Sequence, residues 1–335
     1  DEANRAEPGV VVGDDGSDGA RLAVDWAAAE AEANRAEPGV VVGDDGSDGA
    51  RLAVDWAAAE AEALGTCLVL VRTMTLPMPN ADFVPGVIAP VAGDIVADQS
   101  IVDYAEKELA EVAAGIGRTR PGLAVRTRVR FGRAGWELAD IGRQAELIVV
   151  GASGRSGLPR LLLGSTASQV VHTCARPVVV VRPAKEKTRR VVVGVDGSPS
   201  SVAAVRYAYD FADRHGCALH AVHVWSEPPE DVFGPARSGG EGQQSPRDEG
   251  ERLLAESLTG LGERHPDVVV RREVALGSVA EVLLDHAEAA TLLVVGGHGR
   301  GALRGAFLGS VSHAMAYHAP CPVAIVRQGV EEHPA

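Results

Sequence analysis

"LIVVGASGRSGLPRLLLGSTASQVVHTCARPVVVVR" (147–182) contains two short apolar runs on either side of a glycine-rich loop and a segment with helical character. Continuous apolar runs of four or five residues are typical of strands that are buried on both faces. A strand, a helix and a second strand in this order predict a parallel βαβ unit.

The same alternation occurs in both halves of the chain. "LLVVGGHGRGALRGAFLGSVSHAMAYHAPCPVAIVR" (292–327) repeats residues 147–182, and "RRVVVGVDGSPSSVAAVRYAYDFADRHGCALHAVHVW" (189–225) repeats residues 37–74. The sequence therefore predicts the α/β class, with two tandem open, doubly wound parallel-sheet domains that are Rossmann-like. We place them at 37–183 and 189–328, joined by a charged linker at 184–188 within "PAKEKTRR" (183–190) and followed by a tail at 329–335.

A second repeat has a different character. Residues 2–33 and 32–63 are identical, overlapping by two residues. Only one copy can occupy the first strand–helix position of domain one, and the second copy runs directly into the next strand, "CLVLVRT". If the first copy docked there, about 30 residues would loop out at a cost of a few kcal/mol. We expect the second copy to dock, and the segment 1–36 to be an extra βα unit.

In the stretch "ARLAVDWAAAEAEA" of domain one, Leu52, Trp56 and Ala59 share one face and charges lie elsewhere, which predicts an amphipathic helix.

Composition limits the function classes. The net charge of −14 repels phosphate backbones, so we expect no nucleic acid partner. We find no apolar run of about 18 residues and no apolar leader, so no membrane association is expected. The four cysteines show no CxxC spacing and indicate buried thiols of a cytoplasmic protein.

Glycines at a fixed spacing follow the fourth predicted strand of each half. The first and second glycines allow a tight turn and a close ligand approach, and the third precedes a helix whose free N–H groups attract phosphate. The alternative is a strand-to-helix turn with a serine cap. The pattern G-x2-G-x9-G-[ST] comprises Gly151, Gly154, Gly164 and Ser165 in domain one and Gly296, Gly299, Gly309 and Ser310 in domain two.

The first strand of each half ends in an acidic residue. Domain one reads "VVVGDDGS", with Asp44 and Asp45, and domain two reads "VVVGVDGS", with Asp196. Asp, Gly and Ser all favour turns and helix caps, which is one interpretation. The other is a carboxylate at the ligand-binding edge of the sheet, where it reaches a ribose hydroxyl or a metal ion on the phosphates.

These motifs, together with the closing "HAPCPVAIVR", resemble those of universal stress proteins, and the whole chain resembles a tandem member of the actinobacterial type. In the ATP-binding branch of that family the glycine motif marks the nucleotide site. The resemblance implies ATP, alone or with Mg²⁺, as the ligand of each domain. It places Asp45 and Asp196 near the adenosine and the main chain near Thr73 and Val224 at the adenine, with the glycine motifs on ribose and phosphates.

The resemblance also implies that the halves pack with pseudo-twofold symmetry through their closing strands, "PVVVVRP" and "PVAIVRQ", and that two chains form a homodimer through these strands. Domain one departs from the pattern at Asp44, whose extra carboxylate is expected either to weaken nucleotide binding or to assist a metal.

Other polar groups leave alternatives open. The histidines form no convincing metal set, and His298 in the second glycine loop either contacts phosphate or is solvated. The same choice applies to four arginines in these loops: Arg155, Arg160, Arg300 and Arg304. Two long loops, 75–94 and 226–250, are either lids or disordered segments.

Three functions are compatible with these patterns. The first is a nucleotide-binding regulatory protein that is not an enzyme, since no catalytic constellation is present. The second is an ATP-consuming α/β enzyme of the adenylate-transfer or ATP-pyrophosphatase type. The third is an assembly module with empty pockets, which the intact motif in both halves disfavours.

Overall fold

The structure, a computed structural model, describes residues 39–74, 99–154, 163–183, 188–225, 245–299 and 308–328. The segment 1–36, the tail, most of both long loops and the four loop arginines lie outside the described residues.

Ten strands and nine α-helices form in the described ranges. The strands are β1 (Val40–Gly43), β2 (Leu68–Met74), β3 (Val125–Phe131), β4 (Leu147–Gly151), β5 (Val178–Val181), β6 (Thr188–Gly194), β7 (Ala218–Trp225), β8 (Val270–Leu276), β9 (Ala290–Gly296) and β10 (Val323–Val326). The helices are α1 (Asp48–Leu64), α2 (Gln99–Thr119), α3 (Ala134–Ile141), α4 (Ser165–Thr173), α5 (Pro199–His215), α6 (Pro246–Ser257), α7 (Leu261–Arg264), α8 (Val279–Ala287) and α9 (Ser310–His318).

The strands join in one sheet with the order β3-β2-β1-β4-β5-β10-β9-β6-β7-β8. Every neighbouring pair is parallel except β5 and β10, which pair antiparallel at the centre. Each half therefore has the order 3-2-1-4-5, and the halves are related by a pseudo-twofold axis between the closing strands. This confirms the predicted fold of two tandem, doubly wound α/β domains.

Both faces of the sheet are covered, which explains why the strands read as continuous apolar runs. In β1, Val40 and Val42 point to the layer that contains α1 and α2, whereas Val41 points to the layer of α3 and α4. The second domain repeats this arrangement with α5 and α6 on one face and α8 and α9 on the other.

The buried face of α1 is centred away from the apolar face that the sequence pattern indicated, although Trp56 packs against the core as expected. Apart from Glu60, its buried residues are alanines and one valine, and they lie on the opposite side of the helix from Leu52, which is 38% exposed. Gly49 explains the difference, because its carbonyl oxygen would lie only 2.6 Å from a Cβ on Gly151 of β4. Only an alanine-rich face allows so close an approach of helix and sheet. Trp56 stacks on Phe211 of the other domain, with ring centroids 6.1 Å apart.

Two boundaries also differ from the sequence-based prediction. The strand β6 begins at Thr188, which was predicted as the last residue of the linker, so the sheet starts one residue earlier than expected. The helix α6 begins at Pro246 after a capping box made by Ser245 and Asp248, within the stretch predicted as a loop.

The closing strands are internal to the sheet. Val323 pairs with Val180 within the chain, and each closing strand has a second neighbour on its other edge. A homodimer through the edges of these strands is therefore wrong, because both edges are occupied. A homodimer through another surface stays a prediction.

Candidate functional site

A cavity of about 280 Å³ lies in domain one at the carboxyl ends of β1 and β4. The strand order reverses between these two strands, which is where open α/β sheets bind ligands. The loops after both strands and the start of α4 form its walls. The lining includes every residue predicted for this domain, namely Asp45, Thr73, Gly151, Gly154, Gly164 and Ser165.

A second cavity, of about 170 Å³, occupies the equivalent place in domain two, between β6 and β9. Valine side chains occupy more of its wall than in domain one. All the predicted residues of this domain line it as well, namely Asp196, Val224, Gly296, Gly299, Gly309 and Ser310.

The first two glycines of each motif allow close approaches that a side chain would prevent. A Cβ on Gly154 would lie 2.7 Å from Oδ2 of Asp45, closer than such atoms pack. The strand-ending Gly151 makes room for the start of α1. Domain two has the same approaches, with 2.8 Å from a Cβ on Gly296 to Oγ of Ser200 and 2.9 Å from one on Gly299 to Oδ2 of Asp196.

The third glycine of each motif precedes a helix that points its N-terminus at the cavity. In α4 the first intrahelical bond runs from the N–H of Ser168 to the carbonyl oxygen of Gly164, at 2.8 Å. The N–H groups of the three preceding residues have no partner inside the helix. In α9 the equivalent bond joins His313 to Gly309, at 2.9 Å. Each cavity therefore contains a helix terminus that favours anions.

Each predicted aspartate serves its own turn and also lies at the cavity. Oδ1 of Asp45 accepts the N–H of Ser47 at 2.9 Å, and Oδ1 of Asp196 accepts the N–H of Ser198 at 2.9 Å. The second oxygen of each carboxylate is the atom beside the second glycine. The turn interpretation and the ligand interpretation are thus compatible, because they use different oxygens.

The extra carboxylate of domain one, that of Asp44, has two partners in its own domain. Oδ2 of Asp44 lies 2.5 Å from Nη2 of the buried Arg72, and Oδ1 accepts the N–H of Gly46 at 3.0 Å. Burial alone would lower the pKa of Arg72, but Asp44 and Glu108 together raise it above its usual value. Asp44 also lines the cavity, and Arg72 is shared between its carboxylate and that of Glu108. The expectation that Asp44 weakens nucleotide binding or assists a metal therefore stays a prediction.

In domain two, both members of this ion pair are replaced by other residues. Val195 follows β6 where Asp44 follows β1, and His223 occupies the position of Arg72. Nδ1 of His223 donates to the carbonyl oxygen of Val195 at 2.7 Å. A carboxylate with a buried guanidinium in one domain thus corresponds to an apolar residue with a hydrogen-bonded imidazole in the other.

Several cavity residues were not singled out from the sequence, among them Ser153, Thr166 and Leu138. The first lies inside the glycine motif and the second directly after it, so the motif spacing was a sufficient signal for both. Leu138 comes from α3 on the covering face of the sheet, where an apolar helix residue looks like ordinary core.

His298 lines the second cavity, and its Nε2 is buried without a hydrogen-bond partner in the described part of the chain. Such an atom costs free energy unless a ligand or water satisfies it. The sequence indicated no convincing metal set among the histidines, but in the structure His220, Glu273 and His286 have donor atoms within 4.8 Å of one another, away from this cavity.

The fold and the paired cavities define a protein of two Rossmann-like domains with one ligand-type cleft in each. The model of the universal stress protein family matches residues 38–182 and 187–327. The chain belongs to the universal stress protein family.

Relatives of similar size support this assignment. Universal stress protein Rv1996 of Mycobacterium tuberculosis is 34% identical over 332 residues, which cover 97% of this chain and 96% of that protein. A universal stress protein of Mycolicibacterium smegmatis is 40% identical over 68% of this chain and 75% of its own length. The fold is also similar to the crystal structure of a universal stress protein from Archaeoglobus fulgidus, with a TM-score of 0.64 at 21% identity, covering 87% of this chain and 98% of that one; this likeness concerns the fold alone.

Within the described residues, none of the helices has the length and apolar character that crossing a membrane requires.

Proposed function

We propose that each domain binds one ATP molecule, and that the chain is a regulatory protein whose conformation responds to nucleotide occupancy. The observation that carries the proposal is the convergence, in both cavities, of a helix N-terminus, a side-chain-free glycine pair and an aspartate oxygen. A helix terminus suits phosphate and a carboxylate suits ribose hydroxyls.

The residues present fit an adenine nucleotide in three respects. The glycine motif leaves space where any Cβ would meet Asp45 or Asp196. The helix starts provide N–H donors for phosphate oxygens. The unsatisfied Nε2 of His298 offers a further polar contact in domain two. In this arrangement Ser165 and Ser310 add hydroxyl donors beside the phosphates, and the strand ends at Thr73 and Val224 face the base.

A regulatory role is proposed over catalysis because no lysine lines either cavity within the described residues. The carboxylates at the cavities already take part in other contacts, since Asp45 and Asp196 accept N–H groups of their own turns and Asp44 pairs with Arg72. An enzyme that transfers adenylate or cleaves pyrophosphate needs a lysine or an available base at the α-phosphate. We place the protein in the cytoplasm, since all four cysteines are buried and none of them forms a disulfide in the described part of the chain.

The first experiment measures nucleotide content. Purified full-length chain is denatured, and the released nucleotides are identified and counted by chromatography. Titration calorimetry of nucleotide-free protein then compares ATP, ADP, AMP, cyclic AMP and GTP, with and without Mg²⁺. About two ATP per chain with no binding of GTP is the expected result. Absence of bound nucleotide together with absence of ATP binding would refute the proposal.

A second measurement separates regulation from catalysis. Hydrogen exchange with and without ATP is expected to show protection at the starts of α4 and α9, with fewer than one phosphate or pyrophosphate released per site over the exchange period. Many turnovers in that period would instead favour the ATP-consuming enzyme.

A further inference from the structure

Three potential metal ligands meet in domain two, away from the glycine motif. His220 lies on β7, Glu273 on the edge strand β8 and His286 on α8. Nε2 of His220 is 3.0 Å from Oε2 of Glu273, and Nε2 of His286 is 3.3 Å from Oε1 of the same carboxylate. The two imidazole rings pack edge to face with centroids 4.8 Å apart.

Domain one shows that the fold does not require these polar groups. The strands β2 and β7 have the same register with their neighbours, so Val69 is equivalent to His220 and Arg128 to Glu273. Ile141 is equivalent to His286, because each lies three residues after an equivalent leucine. That leucine packs, in each domain, against the glycine that ends the first strand. The supporting pairs are Leu68 with Val125, Leu219 with Val270, Leu138 with Gly43 and Leu283 with Gly194.

Burial makes the cluster costly without a ligand. The His220 side chain is only 3% exposed, and its Nδ1 is buried without a hydrogen-bond partner in the described residues. The other two side chains are more open, at 23% for His286 and 28% for Glu273. An unsatisfied buried imidazole is unfavourable, and domain one fills the same position with valine. The cluster is therefore not explained by packing alone.

We propose that His220, Glu273 and His286 bind one divalent transition-metal ion of the Zn²⁺ type. Two imidazoles and one carboxylate form a common zinc donor set, and the open side of the cluster leaves the fourth position to water. Bonds of about 2.0–2.2 Å need donor atoms about 3.3 Å apart, so the widest separation closes by about 1.5 Å or less. Arg271, 3.2 Å from Glu273 and with its side chain 73% exposed, turns to solvent when the ion binds.

The position of the cluster indicates a structural role beneath the domain-two cavity. Val222 lies two residues after His220 on the same face of β7 and lines that cavity. Leu283 lies one helical turn before His286 on α8 and lines it too. An ion held by all three ligands ties β7, β8 and α8 together under the cavity wall.

The test uses the full chain without a histidine tag, freed of metal by a chelator. Zn²⁺ binding is measured by mass spectrometry of metal content after dialysis and by competition with a chromogenic chelator. The variants His220→Val and His286→Ile introduce the residues that domain one carries at these positions. His265→Gln is the matched control, since His265 also lies between two carboxylates, 3.1 Å from Asp210 and 2.9 Å from Asp213.

The expected result is one Zn²⁺ per chain in the wild type and in His265→Gln, with affinity reduced by more than about 100-fold in each cluster variant, because even second-shell losses cost about 10- to 100-fold. Co²⁺ bound to the wild type is expected to give the visible spectrum of a four-coordinate site. Should either cluster variant fail to fold, Glu273→Gln replaces it. Equal Zn²⁺ affinity in the wild type and the cluster variants, or no Zn²⁺ binding at all, would overturn the proposal.

Discussion

Replacing Gly164 by aspartate tests ligand binding at the start of α4 without destabilising the fold. Gly164 has φ −61° and ψ 153°, a backbone conformation that any residue adopts. A Cβ there meets nothing closer than the carbonyl oxygen of Ala152, at 3.5 Å. Aspartate is a favourable residue at a helix cap and interacts well with the helix dipole. The free energy of unfolding is therefore expected to stay level or to rise by about 0.5–1 kcal/mol.

The same substitution is expected to abolish nucleotide binding in domain one. The new carboxylate accepts the N–H groups that the phosphates would use and places a negative charge beside them. Two unit charges about 5 Å apart repel by about 3 kcal/mol at an effective dielectric constant of about 20. This corresponds to a loss of more than about 100-fold in ATP affinity at this site.

Titration calorimetry with ATP checks the prediction, and two further variants supply the controls. Gly164→Asn has nearly the same shape without the charge and is expected to lose about tenfold, the worth of about one hydrogen bond. Gly164→Ala is expected to bind like the wild type. The stoichiometry should fall from two to one in Gly164→Asp and, by symmetry, in Gly309→Asp. Wild-type affinity in both aspartate variants would refute the phosphate assignment of these helix termini.

Three further predictions concern the domain interface and the thiols. Glu60, 1% exposed on α1, pairs with Arg214 of the other domain at 2.8 Å. Glu60→Gln is expected to lower the free energy of unfolding, measured with urea, by about 1–3 kcal/mol, and a change below about 0.5 kcal/mol would contradict the role of this pair. Arg327 donates to two carbonyl oxygens at the end of α4, at 2.9 and 2.8 Å. Arg327→Ala is expected to lower the free energy of unfolding by about 2–3 kcal/mol in the same assay, and an unchanged value would show that the contact is incidental. Burial raises the pKa of Cys174 to about 11 and that of Cys321 to about 12, so native thiol labelling at pH 8 should be slow. The buried protonated thiols contribute fully to the free energy of unfolding below pH about 9, and this contribution should fall as the pH rises through these values, by up to about 1.4 kcal/mol per pH unit per thiol. Fast labelling at pH 8 would instead show that the thiols are accessible.

Much of the fold could be predicted from local sequence patterns. Strands such as β4 and β5 are continuous apolar runs, rich in valine, that are typical of a sheet covered on both faces. The turn after β1 combines an aspartate with the cap residue Ser47, whose Oγ accepts the N–H of Ala50 at 3.1 Å. Both signals act over a few residues, so the sequence alone was enough to locate them and, with them, the two clefts.

The errors arose where distant segments decide the outcome. Large side chains usually mark the buried face of a helix, yet α1 buries alanines because Gly49 and Gly151 bring the helix and sheet close together. The cluster around His220 was missed for a similar reason. Glu273 follows it by more than 50 residues, and only the pairing of β7 with β8 brings them together.

The two clefts differ in their walls, although both keep the glycines and the aspartate. Thr166 in the second position of α4 corresponds to Val311 in α9, and Thr73 corresponds to Val224. Hydrogen bonds to a charged group are worth about 1.5–3 kcal/mol, so one additional hydroxyl donor on a phosphate is worth about tenfold or more in affinity.

We therefore expect domain one to bind ATP at least about tenfold more tightly than domain two. Calorimetry of Gly309→Asp reports the first site alone, and Gly164→Asp reports the second. Exchanging the wall residues supplies the control, because Thr166→Val should weaken the first site and Val311→Thr should strengthen the second. Equal affinities at the two sites, or the reverse order, would show that these hydroxyls do not contact the nucleotide and that the shared glycine and aspartate framework alone sets its affinity.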